Sequence, residues 1–122
     1  MKYAYIDGDD IGLKIENSFM NNNEEKLREI NNDVKSMIQE ITKYLTQNNF
    51  EIIFSGADGI ICKSESVCVK DILEYIRGLD HYLKFSIGVG NCLRDSYLAL
   101  RYAKSNGKNI GAIFDDGFEI IN

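Results

Sequence analysis

The sequence predicts an α+β fold of the split β-α-β, ferredoxin-like type, with an antiparallel central sheet and helices on one face. Apolar residues recur at period two in short runs and at the helical period in longer ones, in the order β, α, α, β, β, α, β, α, β. Setting aside one short helix and the tail leaves β-α-β-β-α-β. The 122 residues are 44% hydrophobic, hold no proline and show no repeat or linker-like shift of composition, so residues 1–122 read as one domain with its own core.

Lys2 to Asp7 is the first strand, an alternating apolar run that ends in acids. Ile11 to Met20 is a short helix with Ile11, Ile15, Phe19 and Met20 at helical spacing. The polar run Asn21-Asn22-Asn23-Glu24-Glu25 reads as a loop and a helix start. Glu24 to Gln47 then forms a long amphipathic helix whose buried stripe is Leu27, Ile30, Val34, Met37, Ile38, Ile41, Tyr44 and Leu45. Phe50 to Ser55 and Gly59 to Lys63 are two strands around a tight turn, with Asp58-Gly59 as the hairpin signal because glycine accepts positive φ. Ser66 to Leu79 is a third helix that turns Val69, Ile72, Leu73 and Ile76 inward. Lys84 to Val89 is a strand running into Gly-Val-Gly, and Leu93 to Ser105 a fourth helix closed by Asn106-Gly107. Asn109 to Phe114 is the last core strand, and Phe118 to Ile121 an edge strand.

Charge and cysteine content narrow the function. The net charge of −5 is opposite to that of proteins that track a nucleic-acid backbone, so no direct DNA binding is expected. No apolar run approaches the roughly 20 residues of a membrane span, and the chain enters a strand at once without a signal-peptide pattern, so a cytoplasmic location is expected. Cys62, Cys68 and Cys92 form no Cys-x-x-Cys pair and the one histidine, His81, is remote from them; the cysteines read as reduced, buried small hydrophobes and His81 as a surface residue.

Chemistry concentrates in two acidic turns. The first is Tyr5-Ile6-Asp7-Gly8-Asp9-Asp10-Ile11-Gly12 and the second Ser55-Gly56-Ala57-Asp58-Gly59. One aspartate at a strand-to-helix junction is explained as an N-cap; three in four positions exceed that need, and Asp9 and Asp10 cannot both be the cap. The split β-α-β topology sets the first strand beside the hairpin, so Asp7 and Asp58 should meet at one edge of the sheet. Adjacent carboxylates repel unless a cation separates them, and oxygen-only ligands suit Mg²⁺ or Mn²⁺. Gly56 and Ala57 are small enough to let a triphosphate approach the backbone. Lys104 and Lys108 flank a helix end, where cations are favourable in their own right and where they could also hold phosphates.

Taken together these motifs resemble the palm-type nucleotidyl cyclases, namely GGDEF diguanylate cyclases and the palm domain of the large type III CRISPR subunit. The short chain is most similar to the minimal CRISPR polymerase family. Asp7-Gly8-Asp9-Asp10-Ile11-Gly12 is similar to the CRISPR palm's Asp-x-Asp-Asn-Leu-Gly, and Gly56-Ala57-Asp58-Gly59 stands in the place of Gly-Gly-Asp-Asp or Gly-Gly-Asp/Glu-Glu. Ser86-Ile87-Gly88-Val89 and Ala103-Lys104-Ser105-Asn106-Gly107-Lys108-Asn109 resemble the C-terminal GGDEF motifs. The resemblance implies a palm domain with two divalent ions held by Asp7, Asp58 and Asp9, with the Gly8 carbonyl and Asp10 as further ligands. It implies nucleotide and phosphate contacts from Gly12, Gly56, Ala57, Lys104 and Lys108. Ala57 departs from the second glycine, Gly59 from a frequent second acid, and Lys108 from an arginine that would grip phosphate bidentately.

The implied activity is metal-dependent synthesis of a cyclic di- or oligonucleotide from NTPs, ATP favoured, in anti-phage signalling. Ring closure from one triphosphate site per domain implies a homodimer, and the product implies a separate effector, with a membrane-bound one among the candidates. Two alternatives remain: a nucleotide hydrolase similar to the archaeal GTP cyclohydrolase of the palm class, and a degenerate palm that binds nucleotide as a sensor.

Overall fold

The computed structural model describes residues 1–122. In chain order the elements are β1 (Lys2–Gly8), α1 (Ile11–Met20), α2 (Glu24–Gln47), β2 (Glu51–Gly56), β3 (Gly59–Ser64), α3 (Val69–Gly78), β4 (Phe85–Gly90), α4 (Leu93–Ser105), β5 (Gly111–Phe114) and β6 (Phe118–Ile121). They form one six-stranded sheet of order β2-β3-β1-β4-β5-β6. The β2-β3-β1-β4 part is antiparallel throughout and is the split β-α-β arrangement expected from the pattern. The sheet as a whole is mixed, because β5 lies parallel to β4. Parallel neighbours need a crossover, and α4 supplies it.

One face of the sheet carries the main core. Ala4 and Ile6 of β1, Ile60 and Cys62 of β3, and Phe85, Ile87 and Val89 of β4 pack against α2 and α3. From α2 the buried residues are Ile30, Val34, Met37, Ile38, Ile41 and Leu45, and from α3 Val69, Ile72, Leu73 and Ile76. Each such aliphatic side chain contributes about 1.5–3 kcal/mol on burial. Leu27 and Tyr44, expected in the same stripe, are half-buried; Tyr44 stacks on Tyr75 with ring centroids 3.9 Å apart, which joins α2 to α3. The Asn23 side chain caps α2 by accepting from Lys26 N–H at 2.9 Å.

The opposite face is covered differently from the one-sided packing expected. There α4 lies on β4 and β5, so helices flank both sides of the sheet. Two glycines make this possible: a Cβ on Gly88 would come within 2.2 Å of the Leu100 nitrogen, and one on Gly90 within 2.5 Å of Asp95 Cβ. Ala99 and Ala103 of α4 and Ala112 of β5 complete a small second core. The α2/α3 face alone shows up in hydrophobic periodicity, because the α4 contact is made of glycine and alanine.

Three smaller expectations are corrected. Phe19 and Met20 of α1 are exposed, since this short helix packs on α2 and reaches the core only through Ile11 and Ile15. Of the cysteines only Cys62 is buried, with its thiol pushed up to about 12 by desolvation; Cys68 is exposed and Cys92 intermediate. The positive φ of the hairpin turn falls on Ala57, at 50°, and not on Gly59.

Candidate functional site

The two acidic turns meet at one end of the sheet. The Gly8 N–H donates to the Asp58 carbonyl at 2.9 Å, and Asp7 is the direct cross-strand partner of Gly59. Asp7 and Asp58 are thereby neighbours, as the topology requires. Alternation along β1 buries Ala4 and Ile6 on the α2 side and turns Tyr5 and Asp7 to the α4 side.

The centre of the site is an ammonium group. Lys104, in the last turn of α4, donates to the Gly8 carbonyl at 2.9 Å and to Asp9 Oδ1 at 3.1 Å, and its Nζ lies 3.2 Å from Asp7 Oδ2. Asp9 is buried, and both its oxygens are engaged by the protein. Oδ1 also accepts from Ser86 Oγ at 2.7 Å, and Oδ2 accepts from Asn109 N–H at 2.8 Å. Asp9 thus brackets the end of β1 to β4 and to the segment before β5. Asp10 occupies the N-cap position of α1 in a left-handed conformation (φ 60°), but its side chain caps nothing and pairs with Lys108. That contact holds the Asp10 carboxyl below the usual carboxylate range. Both lysines expected on phosphates therefore rest on acids of the first turn.

Asp7 shows the opposite electrostatics. Burial pushes its carboxyl above the usual range, Lys104 pulls it back, and the neighbouring Asp58 raises it again. No group of three or more His, Cys, Asp or Glu side chains forms a ready-made metal cage. The donor chemistry nevertheless suits a hard divalent cation. The Asp7 carboxylate and Gly8 carbonyl are oxygen donors, Asp58 adds a second carboxylate alongside, and an ammonium already marks the spot as one that a positive charge prefers.

Small residues shape the ground around these acids. A Cβ on Gly59 would lie 2.9 Å from Asp7 Oδ1 and 3.3 Å from the Tyr5 ring, so glycine here keeps the space beside Asp7 open. A second acid at that position would point straight at Asp7. On the other side of the sheet edge, a cleft of about 640 Å³ opens between α1, α2 and the hairpin tip. Gly12, Ala57 and Asp58 line it, with Ile11, Ile15 and Val34 as apolar wall and Arg28, Asn31 and Lys35 as polar groups. This size and mixture suit a small ligand. Gly56 is outside the cleft, under the ring of Phe54 on the sheet.

Ser86 and Asn109 are further site residues, joined to each other and to Asp9 by hydrogen bonds. Both lie inside motifs that the sequence displays, but nothing in spacing announces that a strand serine and a turn amide converge on Asp9. The left-handed conformation of Asn109 (φ 53°) is the one signal available, since asparagine tolerates that region.

The family profile of the minimal CRISPR polymerase domain (mCpol) matches residues 3–114. The chain belongs to the minimal CRISPR polymerase family. The match spans every element from β1 to β5 and both acidic turns. No protein of curated function matches the sequence. Among solved structures, a diguanylate cyclase/phosphodiesterase from Caldicellulosiruptor saccharolyticus is similar, with TM-score 0.63 and 17% identity over 97% of this chain and 78% of that one. The active GGEEF domain of a diguanylate cyclase from Vibrio cholerae is similar too, with TM-score 0.63 and 20% identity over 95% of this chain and 83% of that one. At these identities the likeness is one of fold, a GGDEF-type palm, and the family supports a nucleotide cyclase or polymerase-like domain.

Proposed function

We propose that this palm domain joins nucleoside triphosphates, ATP favoured, into a cyclic di- or oligonucleotide in a reaction that depends on Mg²⁺ or Mn²⁺. The observation that supports it most is the convergence of Asp7, the Gly8 carbonyl and Asp58 beside a nucleotide-sized cleft, with Lys104 already drawn to the oxygens. A ribose hydroxyl oxygen bonds to the α-phosphorus of a second nucleotide, the bond to the bridging oxygen breaks, pyrophosphate leaves and the hydroxyl proton passes to solvent. A repeat of this step closes the ring.

Asp7, Asp58 and the Gly8 carbonyl would hold the divalent ions, which would supply Lewis acidity at the α-phosphate and charge balance for the pyrophosphate. Lys104 and Lys108, released from Asp7 and Asp10 by the incoming charge, would turn to the β- and γ-phosphates. Asp9 stays in its bracket and keeps Lys104 within reach of both positions. Gly12, Ala57 and the polar groups of the cleft would seat the base and sugar. Ring closure would use two copies of the chain, and a separate effector would read the product in a cytoplasmic anti-phage response.

A nucleotide-binding sensor is the second reading. The absent three-acid cluster and Gly59 in place of an acid favour it. One assay separates the readings: incubate the purified chain with each NTP and Mg²⁺ or Mn²⁺ and resolve the products by mass. Cyclic product with pyrophosphate supports the proposal; a ring-opened purine supports hydrolysis, and binding without turnover supports the sensor. Asp58→Ala should lower synthesis at least 100-fold, about 2.7 kcal/mol in the barrier. Undiminished turnover in that variant would overturn the assignment.

A further inference from the structure

Alternation along β4 sends Phe85, Ile87 and Val89 into the main core and leaves Ser86, Gly88 and Gly90 on the α4 face. The close approach of α4 accounts for the two glycines. Ser86 is fully buried and stands across from Asp7 in the β1/β4 register. Its hydroxyl donates to Asp9 Oδ1 at 2.7 Å and accepts from the Asn109 N–H at 3.1 Å. Each of these partners leads to a lysine. Asp9 Oδ1 also accepts from Lys104 Nζ at 3.1 Å, and Asn109 follows Lys108 in the chain. The turn that carries Lys108 does not hold itself. Gly107, Lys108 and Asn109 all have positive φ, at 112°, 63° and 53°, although only the first is glycine. Such a run persists where its surroundings over-determine it. Here both peptide groups of one residue are tied. The Asn109 N–H is shared by Ser86 Oγ and Asp9 Oδ2, the latter at 2.8 Å, and the Asn109 carbonyl accepts from Arg77 Nη2 of α3 at 2.6 Å.

We propose that Ser86 is a positioning residue that fixes the spacing of the two phosphate-directed lysines, Lys104 through Asp9 and Lys108 through Asn109, with Arg77 bracing the Lys108 turn from outside. The inference rests on the proposed nucleotide joining, in which both ammonium groups turn to the β- and γ-phosphates. Negative charge gathers on the departing pyrophosphate in that reaction, so the two cations act best when their separation is set beforehand. A lysine is a point charge on a flexible stem, with little geometry of its own. The geometry must come from the counter-ion of one lysine and from the backbone of the other, and a single buried hydroxyl holds both. Ser86 acts only through these two partners. Its removal leaves Asp9 and Asn109 joined directly, so the fold keeps its bracket and loses the third point that defines it. Arg77 is exposed on α3, and its only hydrogen bond to the site is the one to the Asn109 carbonyl.

The test uses the full chain and inorganic pyrophosphate with Mg²⁺, its affinity read by calorimetry, alongside the rate of dinucleotide formation. Ser86→Ala should weaken pyrophosphate binding about tenfold, and Ser86→Thr, which keeps the hydroxyl, should recover most of the loss. Arg77→Ala should weaken it by about threefold. Beside Lys108→Ala, the same Arg77→Ala change should cost no more than about 1.5-fold, because its route to the phosphates runs through that lysine. A guanidinium acting on the phosphates through space would show the same loss in both backgrounds. In the joining reaction, Ser86→Ala and Arg77→Ala should lower kcat/KM for NTP in the same order. Parental pyrophosphate affinity in Ser86→Ala, or an Arg77→Ala loss that persists in full beside Lys108→Ala, overturns the inference. The urea midpoint shows whether Ser86→Ala remains folded, and where it does not, the Arg77 pair of measurements decides. A parent chain that binds pyrophosphate and joins no nucleotides overturns the proposed function, and the affinity ratios still decide the inference; a parent that binds no pyrophosphate overturns both.

Discussion

Asp7 is held in a position that a carboxylate dislikes. Burial and the proximity of Asp58 raise its pKa, and Lys104 only partly offsets them. A raised native pKa means that the folded chain holds the proton more tightly than the unfolded one. The contribution of this group is therefore fully present below the ordinary carboxylate range, near pH 4, and is lost as the pH rises through the native value. Asp7→Asn should consequently raise the Tm at pH 7, by up to the few degrees that a single surface-edge substitution gives a domain of this size. The gain should vanish below about pH 4, and calorimetry across that range checks it; nucleotide joining should be lost in the same variant. How far the sequence reveals this differs from residue to residue. The meeting of Asp7 with Asp58 is legible because topology and register dictate it. The fate of Asp9 is not, since three acids in four positions look alike until Ser86 and Asn109 claim one of them.

The elements divide in the same way. Those with strong apolar stripes, α2 and α3, and the strands β1, β3 and β4 lie within a few residues of where periodicity puts them. The placement of α4 is hidden, because its contact with the sheet depends on the absence of side chains at Gly88 and Gly90. The last turn of this helix carries Lys104, and Lys108 follows in the succeeding turn, so the packing of α4 on β4 sets the reach of both cations. Gly88→Ala would thrust a methyl group into the α4 backbone, which cannot yield as a side-chain tip would. A loss of about 1–3 kcal/mol from overpacking is expected, read as a lower midpoint in urea unfolding. The same variant should lose nucleotide joining beyond what its unfolded fraction explains, because α4 is displaced along with its lysine.

At the scale of the whole molecule the charge is arranged in layers. A net charge of −5 surrounds a site in which two lysines pair with the three acids of the first turn and offset two of their charges, so the resting chain carries part of its own counter-charge. Proteins whose metal is part of the fold come apart when it is withdrawn. This one should not: a chelator in excess should leave the Tm within about 1 °C of its starting value, since binding stabilises only what has bound. No helix of the structure is long and apolar enough to cross a membrane.

Lys104 has a last consequence for supply and demand. A chain that fills its own cationic vacancy can be synthesised, folded and kept in reserve whatever the ionic state of its surroundings. Under the proposed function, magnesium arriving alone would have to evict a tethered rival, whereas magnesium arriving with a polyphosphate would offer that rival a new seat. Loading would then be cooperative by construction, the ion settling where the polyphosphate has come too.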